Sequence, residues 1–258
     1  MLKKLLDAFP SYVKWGVVKN TNKKYLNMGY KSLIVAVFGY FYEENTEPFS
    51  KYCSIPDYHV VVKEEFEKII GKVFSDYKIM VDISPYNEKM LAQTLGLGEI
   101  GENNLLLTEE YGSYVFIAEA LVKEEISEYK HEKKKICTHC KKCVKSCPSG
   151  SLTGGFKKES CLSFLSQKKE LLENEEQLLK KASYIFGCDI CQTSCPVNKN
   201  ARKTQIEKFK KPILSLSEEE ILSLTQEEFE KRYGEFAFCY KGVEILKRNV
   251  RIRNEQKI

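Results

Sequence analysis

Seven of the ten cysteines in this 258-residue chain fall into two runs, and their spacing dictates what the surrounding backbone must do. The first run is Cys137-x-x-Cys140-x-x-Cys143-x-x-x-Cys147-Pro148, and the second is Cys188-x-x-Cys191-x-x-x-Cys195-Pro196. Three thiolates at three-residue steps hold one 4Fe–4S cluster, and a fourth followed by proline reaches across to a second cluster. The second run lacks its first cysteine, because Ile185 stands at that position. Two four-thiolate clusters take eight ligands; the runs supply seven, and the isolated Cys161 between them supplies the eighth. The expected sets are Cys137, Cys140, Cys143 and Cys195 for one cluster, and Cys147, Cys161, Cys188 and Cys191 for the other. Such a chain is expected to move electrons.

Other uses of cysteine fit less well. Zinc ribbons pair cysteines across a spacer and need neither a third cysteine at the next step nor a fourth before proline. A disulfide framework belongs to oxidising compartments. The N-terminus offers no signal-peptide core, since Lys3, Lys4, Asp7 and Lys14 interrupt it, so a cytoplasmic setting is expected. Cys53 and Cys239, outside the runs, read as structural thiols. The longest uncharged stretch, residues 32 to 42, is too short to span a bilayer and reads as a buried strand; no membrane partner is expected.

Net charge is +5, which permits a nucleic-acid partner without demanding one. Lys133, Lys134, Lys135, Lys141, Lys142 and Lys145 crowd the first cysteine run, while Lys247, Arg248, Arg251 and Arg253 mark the C-terminus. Such runs are solvated faces by default. Beside a cluster, lysines also favour its more negative, reduced state or an acidic redox partner.

Three consecutive parts are expected. Residues 1–130 alternate strand-like stretches (32–42, 78–83 and 114–122) with helical ones. Phe66, Ile69, Ile70, Val73 and Phe74 form one apolar stripe of a helix, and the whole predicts an α/β layer able to cradle a ligand. Residues 131–200 are the cluster region. Residues 201–258 read as helical, with Ser217/Glu220 and Thr225/Glu228 as two capping-box signatures. Gly96-Leu97-Gly98-Glu99-Ile100-Gly101 satisfies a G-x-G-x-x-G pattern, but it follows a helical stretch rather than a strand. It therefore reads as a helix end and a turn, and no nicotinamide cofactor is expected.

Several blocks together resemble the epoxyqueuosine reductase family. They are Val81-Asp82-Ile83-Ser84-Pro85 with Glu88, then Gly96-Leu97-Gly98 with Gly101, then Asn104-Leu105-Leu106-Leu107 and Tyr111-Gly112-Ser113-Tyr114. Tyr52 with Asp57-Tyr58-His59, Cys161-Leu162-Ser163-Phe164-Leu165 and Gly187-Cys188-Asp189-Ile190-Cys191-Gln192 are similar to further family segments. The resemblance runs roughly from residue 33 to residue 254. It implies a corrinoid-binding α/β (α+β) domain, a ferredoxin-like double 4Fe–4S domain and a short helical C-terminus. Cobalamin is the implied second cofactor. The implied reaction reduces the epoxide of epoxyqueuosine in transfer RNA to queuosine, with two electrons and two protons in and one water out. A carboxylic acid positioned beside the departing oxygen supplies a proton to such a step. Asp82 matches the family's catalytic aspartate, and Ser163 and Asp189 match positions near the corrinoid. Tyr58 and His59 are expected to approach the cofactor, with a satisfied histidine at a helix start as the competing reading for His59. For Asp189 the competing readings are a solvated loop residue and a bond to a backbone amide near the cluster.

The departures from the family pattern bear on substrate. Where the family keeps G-L-G-W-x-G-K, this chain has Glu99 and Glu102, two acids expected to weaken binding to a polyanion. The sequence ends at a segment, residues 247–254, resembling the start of the region that longer members extend into HEAT-like repeats. The expected partners are transfer RNA or a small-molecule substrate, and a low-potential donor such as ferredoxin or flavodoxin, with the chain acting as a monomer. Two other readings are a corrinoid reductase of another small molecule, motivated by Glu99 and Glu102, and a ferredoxin-like electron carrier without cobalamin.

Overall fold

The computed structural model describes residues 1–43, 48–210 and 216–255, so the expected helical part 201–258 includes two stretches (211–215 and 256–258) outside the described residues. Contacts gather the chain into two units, each drawn from separated stretches. One comprises Met1–Tyr42, Tyr58–His139 and Val197–Lys210; the other comprises Glu43–Asp57, Cys140–Pro196 and Lys211–Ile258. The three consecutive parts expected from the sequence are a division by composition, whereas these units are a division by contact.

The first unit runs α1 (Leu2–Ala8), β1 (Lys14–Lys19), α2 (Lys23–Asn27), β2 (Ser32–Gly39), α3 (Tyr58–Ile70), β3 (Tyr77–Val81), α4 (Glu88–Thr94), β4 (Glu99–Ile100), β5 (Leu106–Leu107) and β6 (Val115–Val122). Its main sheet has the order β1-β2-β6-β3, every pairing antiparallel. All eight residues of β2 are buried, because helices cover both faces of the sheet. On one face Phe38 meets Phe66 of α3 with ring centroids 5.6 Å apart. Alternation puts Leu33, Val35 and Val37 on the other face, where they pack with Ala92 and Leu95 in the α4 segment. The expected strand at 114–122 is β6, and the expected helical stripe is α3, which ends at Ile70 and leaves Phe74 buried in the turn beyond it.

Asn87 caps α4, its Oδ1 accepting from the Met90 N–H at 3.2 Å. The helix ends in the glycine run, as expected for a stop and turn. Gly96 adopts φ +71, and a Cβ there would lie 2.3 Å from the His131 carbonyl oxygen. The next residues form a two-stranded ribbon in which Glu99 of β4 pairs with Leu107 of β5.

The second unit is mainly helical: α5 (Lys142–Ser146), α6 (Leu162–Leu165), α7 (Glu173–Leu179), α8 (Ile190–Thr193), α9 (Glu218–Ser223), α10 (Gln226–Tyr233) and α11 (Val243–Asn254). One apolar cluster joins Phe49, Phe186, Phe229, Phe238 and Leu246, with Ile185 fully buried among them. The residue that replaces a cluster ligand in the second cysteine run is thus a core residue. Asn249 of α11 donates to the carbonyls of Ser166 and Ile185 at 2.7 and 2.8 Å, tying the helix to the segments beside Cys161 and Cys188. Thr225 opens α10 with a complete capping box, whereas Ser217 supplies only half of one. Glu220 turns instead to Arg232 and to the Tyr233 hydroxyl.

Candidate active site and cluster region

Asp82 follows the last residue of β3 and adopts φ +56, a left-handed conformation that aspartate tolerates better than most residues. The turn lifts the carboxylate off the sheet, and its side chain is 63% exposed. Tyr58, the first residue of α3, donates its hydroxyl to Asp82 Oδ2 at 2.7 Å. The Tyr58 ring is itself clamped, stacked on Phe116 at 4.1 Å and on His59 at 4.1 Å. His59 Nε2 stands 4.0 Å from the same Oδ2. Ile83 is 76% exposed beside them, so a polar trio has an open apolar flank. Asp82 and the adjacent pair Tyr58 and His59, more than twenty residues apart in sequence, are brought together here.

Beneath the Asp82 turn lie two carboxyls with only one role between them. Glu119 sits in the middle of β6 on the α4 side of the sheet, paired in register with Val35 and Met80, and is fully buried. Its Oε1 accepts from the Ser84 hydroxyl at 3.2 Å. Glu88, in the first turn of α4, accepts from the Asp82 backbone N–H and is hydrogen-bonded to Glu119. Two buried carboxylates in contact cannot both ionise. Burial first, then the charges of Asp82 and of the partner, hold both above the usual carboxylate range; a proton on Glu119, donated to Glu88, satisfies the contact. Lys89 in the same turn is lowered by burial and donates to the Asn104 carbonyl at 2.8 Å. Sequence reasoning passed over Glu119. Its only signal was a single acid within the apolar stretch Val115–Val122.

In the second unit, α5, which carries Cys143, packs against α8, which carries Cys191. Ser146 Oγ donates to Ser194 Oγ at 2.8 Å, one residue before Cys147 and Cys195 respectively. The thiols of Cys147, Cys161, Cys188 and Cys191 lie close enough to act on one another electrostatically. Burial, and then the neighbouring acidic groups, push Cys188 up to about 12 and Cys191 up as well, so as free thiols they would stay protonated. Half-buried thiols of this kind need a cationic group, such as an iron–sulfur core, to keep them ionised as thiolates. None of the ten cysteines is in a disulfide. Cys53 is fully buried, its thiol donating to the Ser50 carbonyl at 3.1 Å, and burial drives its ionisation far upward.

Asp189 is 1% exposed. Its Oδ2 accepts from the Lys51 N–H at 2.6 Å and its Oδ1 from Gln192 Nε2 at 3.0 Å, so it bonds a backbone amide beside Cys188. Ser163 lies half-buried in α6, its carbonyl accepting from Ser166 and Gln167. The lysines around the first cysteine run are exposed, and Lys134 pairs with Glu109.

Glu99 and Glu102 have particular partners. Glu99 Oε2 accepts from the backbone N–H groups of Ile136 and Cys137 at 2.5 and 2.7 Å. Glu102 Oε1 meets His139 Nδ1 at 2.8 Å, and His139 is itself left-handed at φ +49. Both acids are engaged with the start of the first cysteine run.

No described helix is long and apolar enough to cross a membrane. Residues 136–198 match the family model described as a 4Fe-4S double cluster binding domain, and this chain therefore carries an iron–sulfur cluster domain. The epoxyqueuosine reductase of Cyclobacterium marinum is 30% identical over 257 residues, covering 92% of this chain and 81% of the relative. That of Bacillus cereus is 30% identical over 256 residues, and there the chain spans 66% of the relative's length. A solved structure of epoxyqueuosine reductase with a tRNA-Tyr epoxyqueuosine-modified stem loop shares the mixed α/β fold, with a TM-score of 0.77 over 98% of this chain and 79% of that one, at 22% identity. The double-cluster domain and these relatives agree, and the chain belongs to the epoxyqueuosine reductase family.

Proposed function

We propose that this protein is a cytoplasmic, cobalamin-dependent iron–sulfur reductase that removes the epoxide oxygen of epoxyqueuosine in transfer RNA. The observation that carries this reading is Asp82, turned out of the sheet and gripped by Tyr58, in a member of this family. Cobalamin fits the trio of Asp82, Tyr58 and His59, whose polar groups stand beside the exposed Ile83 as a ring with amide fringes and an apolar face requires. When bound, the corrinoid would gather single electrons and deliver them as a pair. Ser163 is assigned to the same cofactor, as is Asp189, acting through the Lys51 and Gln192 bonds that hold its loop.

The acid chemistry belongs to this chain's own residues. Tyr58 O–H occupies Asp82 Oδ2, and proton delivery is assigned to Oδ1. As the epoxide C–O bond breaks, that proton passes to the departing alkoxide. Asp82, open to solvent, then takes up the second proton and delivers it to the resulting hydroxyl as the remaining C–O bond breaks, so that two electrons and two protons release one water. His59 beside Oδ2 keeps the carboxylate oriented between the two deliveries. The clusters are assigned as Cys137, Cys140, Cys143 and Cys195, and as Cys147, Cys161, Cys188 and Cys191, fed by a low-potential ferredoxin or flavodoxin. Transfer RNA is favoured over another small molecule because Glu99 and Glu102 are taken up by the cysteine run.

The test is anaerobic turnover of an epoxyqueuosine-modified stem loop with cobalamin and a low-potential reductant. Asp82→Asn is expected to lose about 10²–10⁴-fold in rate, the usual contribution of a general acid, with iron content unchanged. Equal turnover by the variant, or none by fully loaded wild type, would sink the proposal.

A further inference from the structure

The ribbon of β4 and β5 delivers a carboxylate to the start of the first cysteine run. Glu99 Oε2 is a bifurcated acceptor for the N–H groups of Ile136 and Cys137. Two amides converging on one charged oxygen form the strong, charge-assisted kind of hydrogen bond. The geometry has a purpose beyond holding a loop, because the potential of an iron–sulfur cluster is set by its net charge and by the hydrogen bonds its sulfurs receive. Backbone N–H groups next to a ligand are the usual donors to those sulfurs. Here the Ile136 and Cys137 amides are already spent on Glu99, and a half-buried negative charge stands one hydrogen bond from the ligand residue. Both effects disfavour the added electron.

We propose that Glu99 lowers the reduction potential of the cluster that Cys137 ligates. This rests on Cys137 being a cluster ligand, and not on the identity of the substrate. Glu102 contributes far less. Its partner His139 is 64% exposed, and exposed ion pairs are screened by water and salt. The step involved is the ordinary one-electron couple of the cluster, with the electron supplied by a chemical reductant in the cuvette.

The experiment is an anaerobic redox titration of the reconstituted full chain, followed by electron paramagnetic resonance, for wild type, E99Q, E99D and E102Q. Iron and sulfide content serve as the check on assembly. In E99Q one of the two cluster signals is expected to move to more positive potential, by about tenfold in the reduced-to-oxidised ratio at fixed potential (~59 mV for one electron). E99D keeps the charge and is expected to stay near wild type, as is E102Q. Unchanged potentials in E99Q at full iron content would overturn the proposal and leave Glu99 a loop anchor. So would an E99D shift as large as that of E99Q, because the charge would then not be the cause. Should E99Q fail to assemble, E99D against E102Q decides: the proposal fails if E99D titrates with a raised potential. Absence of turnover by the loaded wild type, with the E99Q shift present, would instead count against the proposed reaction alone.

Discussion

Glu119 shows how a single residue can be placed by a pattern and yet be invisible to it. Alternation along β6 sends it inward with Ile117 and Leu121, onto the face that α4 covers, where an ionised carboxylate would be costly. The sequence displays the acid but not the cover, because the contact with Glu88 depends on a helix thirty residues earlier settling on that face. Asp82 is the opposite case: its left-handed turn is written locally in an aspartate before Ile-Ser-Pro, while its hydrogen bond from Tyr58 is not. The shared proton has a measurable consequence. Glu119 titrates near 4.5 in an unfolded chain and is pushed up to about 9 when folded, burial being the main cause. The folded state therefore holds a proton that the unfolded chain has released. Stability from this group is full below 4.5, declines above it and is lost as the pH rises through about 9. Thermal unfolding of wild type is expected to fall between neutral and alkaline pH by roughly 2–4 °C for each kcal/mol lost, and Glu119→Gln is expected to flatten the profile. Parallel profiles would place the proton elsewhere.

Among the elements, those with strong local signals were legible. The uncharged run beginning at Ser32 is β2, the stripe around Phe66 is α3, and the glycine run after Leu95 is a helix stop followed by a ribbon. Capping boxes were half legible. Thr225 and Glu228 satisfy each other, but Glu220 leaves Ser217 for Arg232 and Tyr233, partners that only the fold brings near. Thr225→Ala is accordingly expected to cost about 1 kcal/mol, read as a shift in the urea midpoint, and Ser217→Ala less. The turn before Cys188 is stricter. Gly187 adopts φ +74, and a Cβ there would lie 1.8 Å from Ser50 Oγ. Gly187→Ala is expected to lose roughly 2–4 kcal/mol from left-handed strain and overpacking, and to lower the yield of iron-loaded protein. A variant with wild-type stability and iron content would contradict that geometry.

For the whole molecule, the cysteine spacing carried the most information, because cluster ligation is a covalent demand repeated at fixed steps. It named a double-cluster region before any fold was known, and residues 136–198 match such a domain. What spacing did not convey is how separated stretches combine. Residues 48–57 join the cysteine helices and the C-terminal helices, and residues 197–210 join the sheet. These groupings depend on contacts such as Asn249 with Ser166 and Ile185, which have no local signature. The two glutamates at 99 and 102 teach the same lesson. As sequence they read as charges facing a polyanion, and as structure they hold the start of a cysteine run.

The proposal as a whole depends on a corrinoid site at Asp82, Tyr58 and His59 served by two clusters. Electron paramagnetic resonance of the anaerobically reconstituted protein with added cob(II)alamin addresses it in one spectrum. The expected result is a cobalt signal shifted to a base-off form beside intact cluster signals. A free-cobalamin spectrum, unchanged in the presence of fully assembled clusters, would contradict the site and leave Asp82 without a catalytic role.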